Sequence, residues 1–224
     1  MIDPHRPLVV VWRWVVFLVA AGYCLYQLMV IGDYEPPGGP FRFLTIWALV
    51  MSFWSASRML AISEKRTQAS WSAWVAVTAV VNALVVLLYW RLWLEDPALV
   101  QSQGTPAWHQ EYYLHAVGPL LQWIDALFVY GAIRRIWQPA LGLLAVIVAY
   151  IAWIELFVSP FNRFPYGSVT NGFPYPFLNS LTFDGRLDFY ITTAITGFVF
   201  LGLFWGASVA LRWLRRPTAP RPAH

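Results

Sequence analysis

The chain has 224 residues, of which 59% are hydrophobic and only 12% charged, with 14 tryptophans and a formal net charge of +4. A soluble domain of this length cannot hide so much apolar surface, so the composition belongs to the membrane class. The basic residues lie in short stretches between hydrophobic runs, a pattern that fits membrane orientation and argues against a nucleic-acid partner.

Six segments have the length and apolarity to cross a bilayer as helices: 8–31, 41–62, 71–93, 112–133, 140–158 and 187–213. Each approaches or exceeds the roughly 20 residues such a helix needs. Runs of Leu, Val and Ile this long are not barrel strands. The expected fold is therefore all-α and polytopic: a single transmembrane domain over 1–215, followed by a disordered Pro/Arg tail over 216–224. The first segment is too long for a signal-peptide core. Tyr23 before Cys24 argues against lipoprotein processing, so Cys24 is read as a helix-packing residue. A lone cysteine forms no internal disulfide. The connector 161–184 carries Pro165, Gly167, Gly172, Pro174 and Pro176 among Tyr166, Phe173, Tyr175 and Phe177. It suits either an anchor at the headgroups or a cap over a lipid-sized pocket.

Charge sets the expected orientation. Arg6 and Arg13, then Arg58, Lys65 and Arg66, then Arg134 and Arg135, then Arg212, Arg215, Arg216 and Arg221 fall on one side. Only Arg42, Arg91, Arg163 and Arg186 fall on the other. The positive-inside rule puts both termini in the cytoplasm.

Polar residues inside such segments are expensive and therefore informative. Thr45 opens the second segment and His115 the fourth; both segments run inward, so the two share a depth near the outer face. A threonine there often only bonds its own helix backbone. It becomes a nucleophile when a base takes its proton, and a histidine is suited to that task. Asp125 lies ten residues after His115, roughly 15 Å deeper along a straight helix. It needs a partner of its own, and Asn82 in the third segment is a candidate. Glu155, near the outer end of the fifth segment, can approach His115 or pair with Arg163.

The stretches Gly38-Gly39-Pro40-Phe41-Arg42-Phe43-Leu44-Thr45, Leu114-His115-Ala116-Val117-Gly118-Pro119 and Tyr175-Pro176-Phe177-Leu178 occur in this order, each at the outer side. Together they resemble the androgen-induced / androgen-dependent TFPI-regulating family of multipass membrane proteins and related bacterial integral membrane proteins. The resemblance implies a lipid hydrolase, in bacteria of the inner membrane, whose site lies near the non-cytoplasmic face. Its animal members cleave fatty acid esters of hydroxy fatty acids with a membrane threonine and a histidine. Carried over, Thr45 attacks the ester carbonyl and His115 accepts its proton, then protonates the leaving alcohol. The partners implied are membrane lipids and an amphipathic fatty-acyl ester, with no cofactor or metal. Arg42 or Arg163 then suits a substrate carboxylate, and Tyr175 and Asn179 suit the outer pocket.

Other classes fit less well. His5, His109, His115 and His224 supply no matched pair for a haem. His109, Glu111 and His115 lack the paired-histidine spacing of a zinc helix. Ser52, Ser55 and Ser57 have no Gly-x-Ser-x-Gly setting for a serine protease. The alternative to an enzyme is a lipid-binding or transport protein, with Asp125, Asn82 and Glu155 lining its cavity.

Overall fold

The computed structural model describes residues 2–100, 107–133 and 135–215. The tail 216–224, read from sequence as disordered, lies outside them. The described chain is all-α. Five of its helices are long and apolar enough to cross a membrane: Pro7–Val30, Leu44–Ser63, Ser72–Glu95, Trp137–Phe161 and Phe183–Leu214. They coincide with five of the six segments expected from hydropathy. The other expected segment, 112–133, is helical as well, but α and π turns alternate along it. These are α4 (Trp108–Tyr112), a π turn (Tyr113–Val117), α5 (Gly118–Ile124) and a second π turn (Asp125–Tyr130).

The remaining α-helices are α1 (Pro7–Leu25), α2 (Leu44–Ser63), α3 (Ser72–Glu95), α6 (Trp137–Trp153), the short α7 (Ser159–Phe161) and α8 (Pro176–Asn179), and α9 (Phe183–Leu214). Two more π turns extend α1 and α6, over Tyr26–Val30 and Ile154–Val158. Pro7 starts α1, where its missing N–H costs nothing. Gly131, with φ 64°, stops the second π turn in a left-handed cap. The last helix starts before the expected 187, because the Thr182 hydroxyl caps it by accepting from the Gly185 N–H at 3.2 Å. Arg186, outside the expected segment, is thus helical.

The bundle is built around α3. It packs on α2, α6 and α9, and 67% of its most apolar stretch is buried, against 17% for α9. A helix that is apolar all round belongs either in a core or in lipid. Val77, Val80, Val81 and Val85 of α3 meet Leu143 of α6 and Leu201 of α9 in the largest buried cluster, while α9 turns Leu187, Ile191, Ile195 and Leu203 outward. That exposed apolar surface suits hydrocarbon. The α1–α2–α3 packing and the α4–α5 stretch leave Thr45, Tyr89 and His115 facing one another at one end of the bundle.

Candidate active site

Thr45 is the second residue of α2. No side chain of the preceding residue caps that helix, so its first N–H groups need other acceptors. The Tyr175 hydroxyl takes the Leu44 N–H at 3.0 Å. The approach to the helix is fixed by further bonds. Tyr150 donates its hydroxyl to the Arg42 carbonyl at 2.9 Å, and Trp47 and Trp153 donate their indole N–H groups to the Phe41 carbonyl at 2.8 and 3.1 Å. Gly38 and Gly39, with φ 83° and 50°, make the turn before it. A Cβ at Gly38 would lie 3.0 Å from Val158. Thr45 is therefore presented by a rigid shoulder between α1 and α2.

His115 sits in the π turn Tyr113–Val117. Such turns free backbone groups and cluster at functional sites. Here the His115 carbonyl accepts the Trp90 indole N–H at 2.8 Å. The imidazole is stacked on the Tyr89 ring, with centroids 3.6 Å apart and planes 6° from parallel. Its Nε2 stands 3.3 Å from Thr45 Oγ1. On the other edge, Nδ1 is 3.4 Å from Glu111 Oε2, one helical turn back. That contact is an ion-pair approach without hydrogen-bond alignment, and both atoms are buried. With a proton on Nδ1, Nε2 is the acceptor facing the threonine. The constellation is hydroxyl, imidazole and carboxylate in line, the logic of an activated nucleophile.

Two cavities meet at this point. One, about 310 Å³, is polar and lined by Gln27, Asp33, Arg42, Gln110, Glu111 and His115. The other, about 90 Å³, is apolar and lined by residues such as Leu84, Leu88, Ile147 and Ile151. Thr45, Tyr89 and Tyr175 lie on the wall of both.

The other residues singled out from sequence fall in different places. Arg42 lines the polar cavity, with Nη2 3.1 Å from Asp33 Oδ2 and Nη1 bonded to the Asp33 and Gly39 carbonyls at 3.2 and 3.0 Å. Asn179 is fully buried beneath the connector; its side chain bonds the Phe173 N–H and carbonyl at 3.1 and 3.0 Å and so holds the loop that carries Tyr175. Glu155 does not approach His115 or Arg163. It accepts from Arg186 Nε at 3.1 Å and from the Tyr190 hydroxyl at 2.9 Å, and Arg163 is exposed. Nor does Asn82 meet Asp125. Its amide donates to Ser52 Oγ at 2.8 Å and to the Thr78 carbonyl at 2.9 Å, whereas Asp125 binds Arg13. Asp125 pairs with Arg13 and not with Asn82 because a charged partner compensates a buried charge better than an amide does, and Glu155 pairs with the buried Arg186 while Arg163 lies exposed.

Glu111, Tyr89 and Gln27 belong to the site and were not singled out for it from sequence. Glu111 has a signal, its spacing of four from His115. Tyr89 and Gln27 have none, because their neighbours are distant in sequence. Among the described residues, no group of three His, Cys, Asp or Glu side chains is disposed to hold a metal ion, so His109, Glu111 and His115 do not converge as one.

An all-α bundle with five helices long and apolar enough to cross a membrane has the character of a multipass membrane protein, and at one end of it a threonine and a histidine face each other where two cavities meet. Comparison with protein families gives the group: the FAR-17a/AIG1-like protein description matches residues 10–207, a span that includes every residue of the site just described. The chain belongs to that family. Neither curated proteins nor solved structures provide a match.

Proposed function

We propose that this protein is an intramembrane lipid ester hydrolase in which Thr45 is the nucleophile and His115 the general base. The single observation that carries the assignment is the 3.3 Å approach of Thr45 Oγ1 to His115 Nε2 at the junction of two cavities. Family membership supports a lipid-modifying role. Thr45 Oγ attacks the ester carbonyl carbon as its proton passes to His115 Nε2. The carbon–oxygen bond to the alcohol breaks, and His115 returns the proton to the leaving oxygen. Water then adds to the Thr45 ester, His115 taking and returning its proton, and the fatty acid departs. Glu111 is a positioning residue that holds the imidazole and balances its charge in the transition state. Proximity fixed by helix packing supplies much of the rate.

In this proposal the helical stretch 108–130 is a sixth span, both termini are cytoplasmic, and the site opens at the non-cytoplasmic face of a bacterial inner membrane. The resemblance to animal members puts fatty acid esters of hydroxy fatty acids on the first substrate panel, beside ordinary lipid esters.

The test is hydrolysis by detergent-purified protein. His115→Ala is expected to lower kcat on the order of 10²–10⁴-fold, and Thr45→Ala at least as much, with both variants folded. Robust hydrolysis by both variants would sink the assignment. A second assignment, a non-catalytic lipid-binding protein, is favoured only by the apolar cavity, which needs no chemistry to hold an acyl chain. Covalent labelling of Thr45 by an activated lipid ester excludes it.

A further inference from the structure

Thr45 borders both cavities, but His115 borders only the polar one. In the mechanism above, the alcohol oxygen takes its proton from His115, so it leaves on the His115 side. The water of the second step gives its proton to the same imidazole and enters where the alcohol left. A polar cavity can hold that water, whereas an apolar one stays dry. An acyl chain lying in the polar cavity would block the water that must release it. The acyl half therefore belongs in the apolar cavity and the alcohol half in the polar one.

The apolar cavity has a definite end. From Tyr89, which stacks on His115, its wall follows α3 to Val81, and on α6 it runs from Ile154 to Val146. Each stretch covers eight residue steps, roughly 12 Å of helix. On α9 the wall reaches Thr193, and one turn further lies the buried Gly197. A Cβ on Gly197 would stand 3.2 Å from Leu84 Cδ1, 3.5 Å from Leu143 Cδ2 and 3.7 Å from Ile147 Cδ1. Leu84 and Ile147 line the cavity, whereas Leu143 is fully buried one turn beyond it. Three side chains of α3 and α6 thus converge on a point of α9 that has no side chain. They separate the cavity from the buried cluster that Leu143 shares with Val77, Val80 and Leu201. Packing this close resists both a void and an extra methyl group, so the floor is stiff.

We infer that the apolar cavity is the acyl subsite, and that the floor made by Leu84, Leu143 and Ile147 over Gly197 sets the acyl-chain length the enzyme distinguishes. The inference rests on the hydrolase assignment. It adds a direction for the substrate and names specificity-determining residues far from Thr45 and His115.

The experiment uses the full chain in detergent micelles and two ester series. One holds p-nitrophenol fixed and lengthens the acyl chain from butanoyl to octadecanoyl. The other holds a dodecanoyl group fixed and lengthens a straight-chain alcohol from butanol to octadecanol. In the acyl series kcat/KM should rise by up to about fourfold per carbon while each added methylene enters the cavity. It should level off once the tail meets the floor. Leu84→Ala and Ile147→Ala lower the floor and should move this break to chains about two or three carbons longer, the size of the group removed. Gly197→Val pushes Leu84 toward the cavity and should move the break to shorter chains by about as much. Ile147 is only partly buried, so its variant keeps the test open if Leu84→Ala does not fold. Each profile is read relative to that variant's own butanoyl ester, so a loss of folded protein cancels. The alcohol series should keep its wild-type shape throughout. A wild-type acyl profile without a break, a break that stays in place in the folded variants, or one that moves in the alcohol series instead overturns the inference and leaves the hydrolase intact. Absence of Thr45-dependent cleavage across both series overturns the hydrolase assignment and the inference with it.

Discussion

Two polar clusters lie along one helical stretch, ten residues apart, and they are built in opposite ways. The inner one is satisfied within itself, beside a cavity of only about 20 Å³. Arg13 of α1 grips Asp125 through two bonds, Nε to Oδ2 at 2.7 Å and Nη2 to Oδ1 at 2.9 Å. Its Nη1 reaches the Met59 carbonyl at 2.8 Å and Ser63 Oγ at 2.9 Å, and Ser63 donates onward to the Pro4 carbonyl. Arg13 is 1% exposed and Asp125 6%. The outer cluster is open. Its Thr45–His115 contact is long, its His115 and Glu111 edges are not aligned as a hydrogen bond, and two cavities reach it. Both clusters use a π turn of the same stretch, over Tyr113–Val117 and Asp125–Tyr130. The difference teaches how to tell a polar group kept for folding from one kept for chemistry. A satisfied network binds helices together, whereas the proposed chemistry falls where groups are left short of partners beside two larger cavities.

The largest effect outside Thr45 and His115 is expected from breaking the inner cluster. Asp125→Ala leaves Arg13 buried and unpaired, and should cost about 3–5 kcal/mol of stability. Thermal unfolding followed by tryptophan fluorescence in micelles would register this as a large drop in Tm. Replacing both partners, Arg13→Met with Asp125→Leu, should recover most of the loss, because the cost lies in the stranded charge and not in the missing pair. A double variant as unstable as Asp125→Ala would show that the pair itself holds α1 in place. Esterase activity per folded molecule should be unchanged in the double variant. A matched loss of activity would erase the distinction between the clusters.

Breaking the outer cluster should do the reverse. Glu111→Gln removes a charge from the imidazole edge without changing shape. Hydrogen bonds and contacts to charged groups are worth about 1.5–3 kcal/mol, which corresponds to about 10–100-fold in rate. The loss should appear in kcat, with KM little altered and Tm held, because the carboxylate acts on the transition state. A variant with wild-type kcat would remove Glu111 from the mechanism. One with unchanged kcat and a lower Tm would make it a structural residue like Asp125.

The contrast also marks where sequence stops being informative. Helix length and hydropathy placed the long apolar spans, because crossing hydrocarbon imposes one length on every helix. Thr45 and His115 stood out because polar side chains in such segments are rare, and the direction of their helices put them at one depth. The partners were hidden. Arg13 looked like an orientation charge at the start of the first helix, yet it binds Asp125, 112 residues away. Glu155 found Arg186 in a helix that begins earlier than hydropathy indicates. Tyr89 is one aromatic among many until α3 packs it on His115. The π turns are the hardest to foresee. No residue type demands one, and each is maintained by packing between helices that only the assembled bundle provides. Four of them hold Gln27, His115, Asp125 and Glu155, so the register shift that aims these side chains inward is a tertiary property.

The smallest expected effect concerns Tyr175, which belongs to neither cluster but supports the open one. Its hydroxyl is the acceptor for the Leu44 N–H at the start of α2, one residue before Thr45. Tyr175→Phe leaves that N–H without its partner while keeping the ring on Phe43, where the two rings sit edge to face with centroids 5.6 Å apart. One ordinary hydrogen bond is worth about 1 kcal/mol, so Tm should fall by only a few degrees. The effect on rate depends on what the hydroxyl does. If it only caps α2, kcat falls by less than about tenfold, in proportion to a looser Thr45. A fall of about a hundredfold or more at constant KM would instead put the hydroxyl on the oxyanion, a donor role of the size seen when such a group is removed. The capping role is the expected one, since the Leu44 N–H already points at this oxygen, and the ratio of the kcat loss to the Tm shift decides between them.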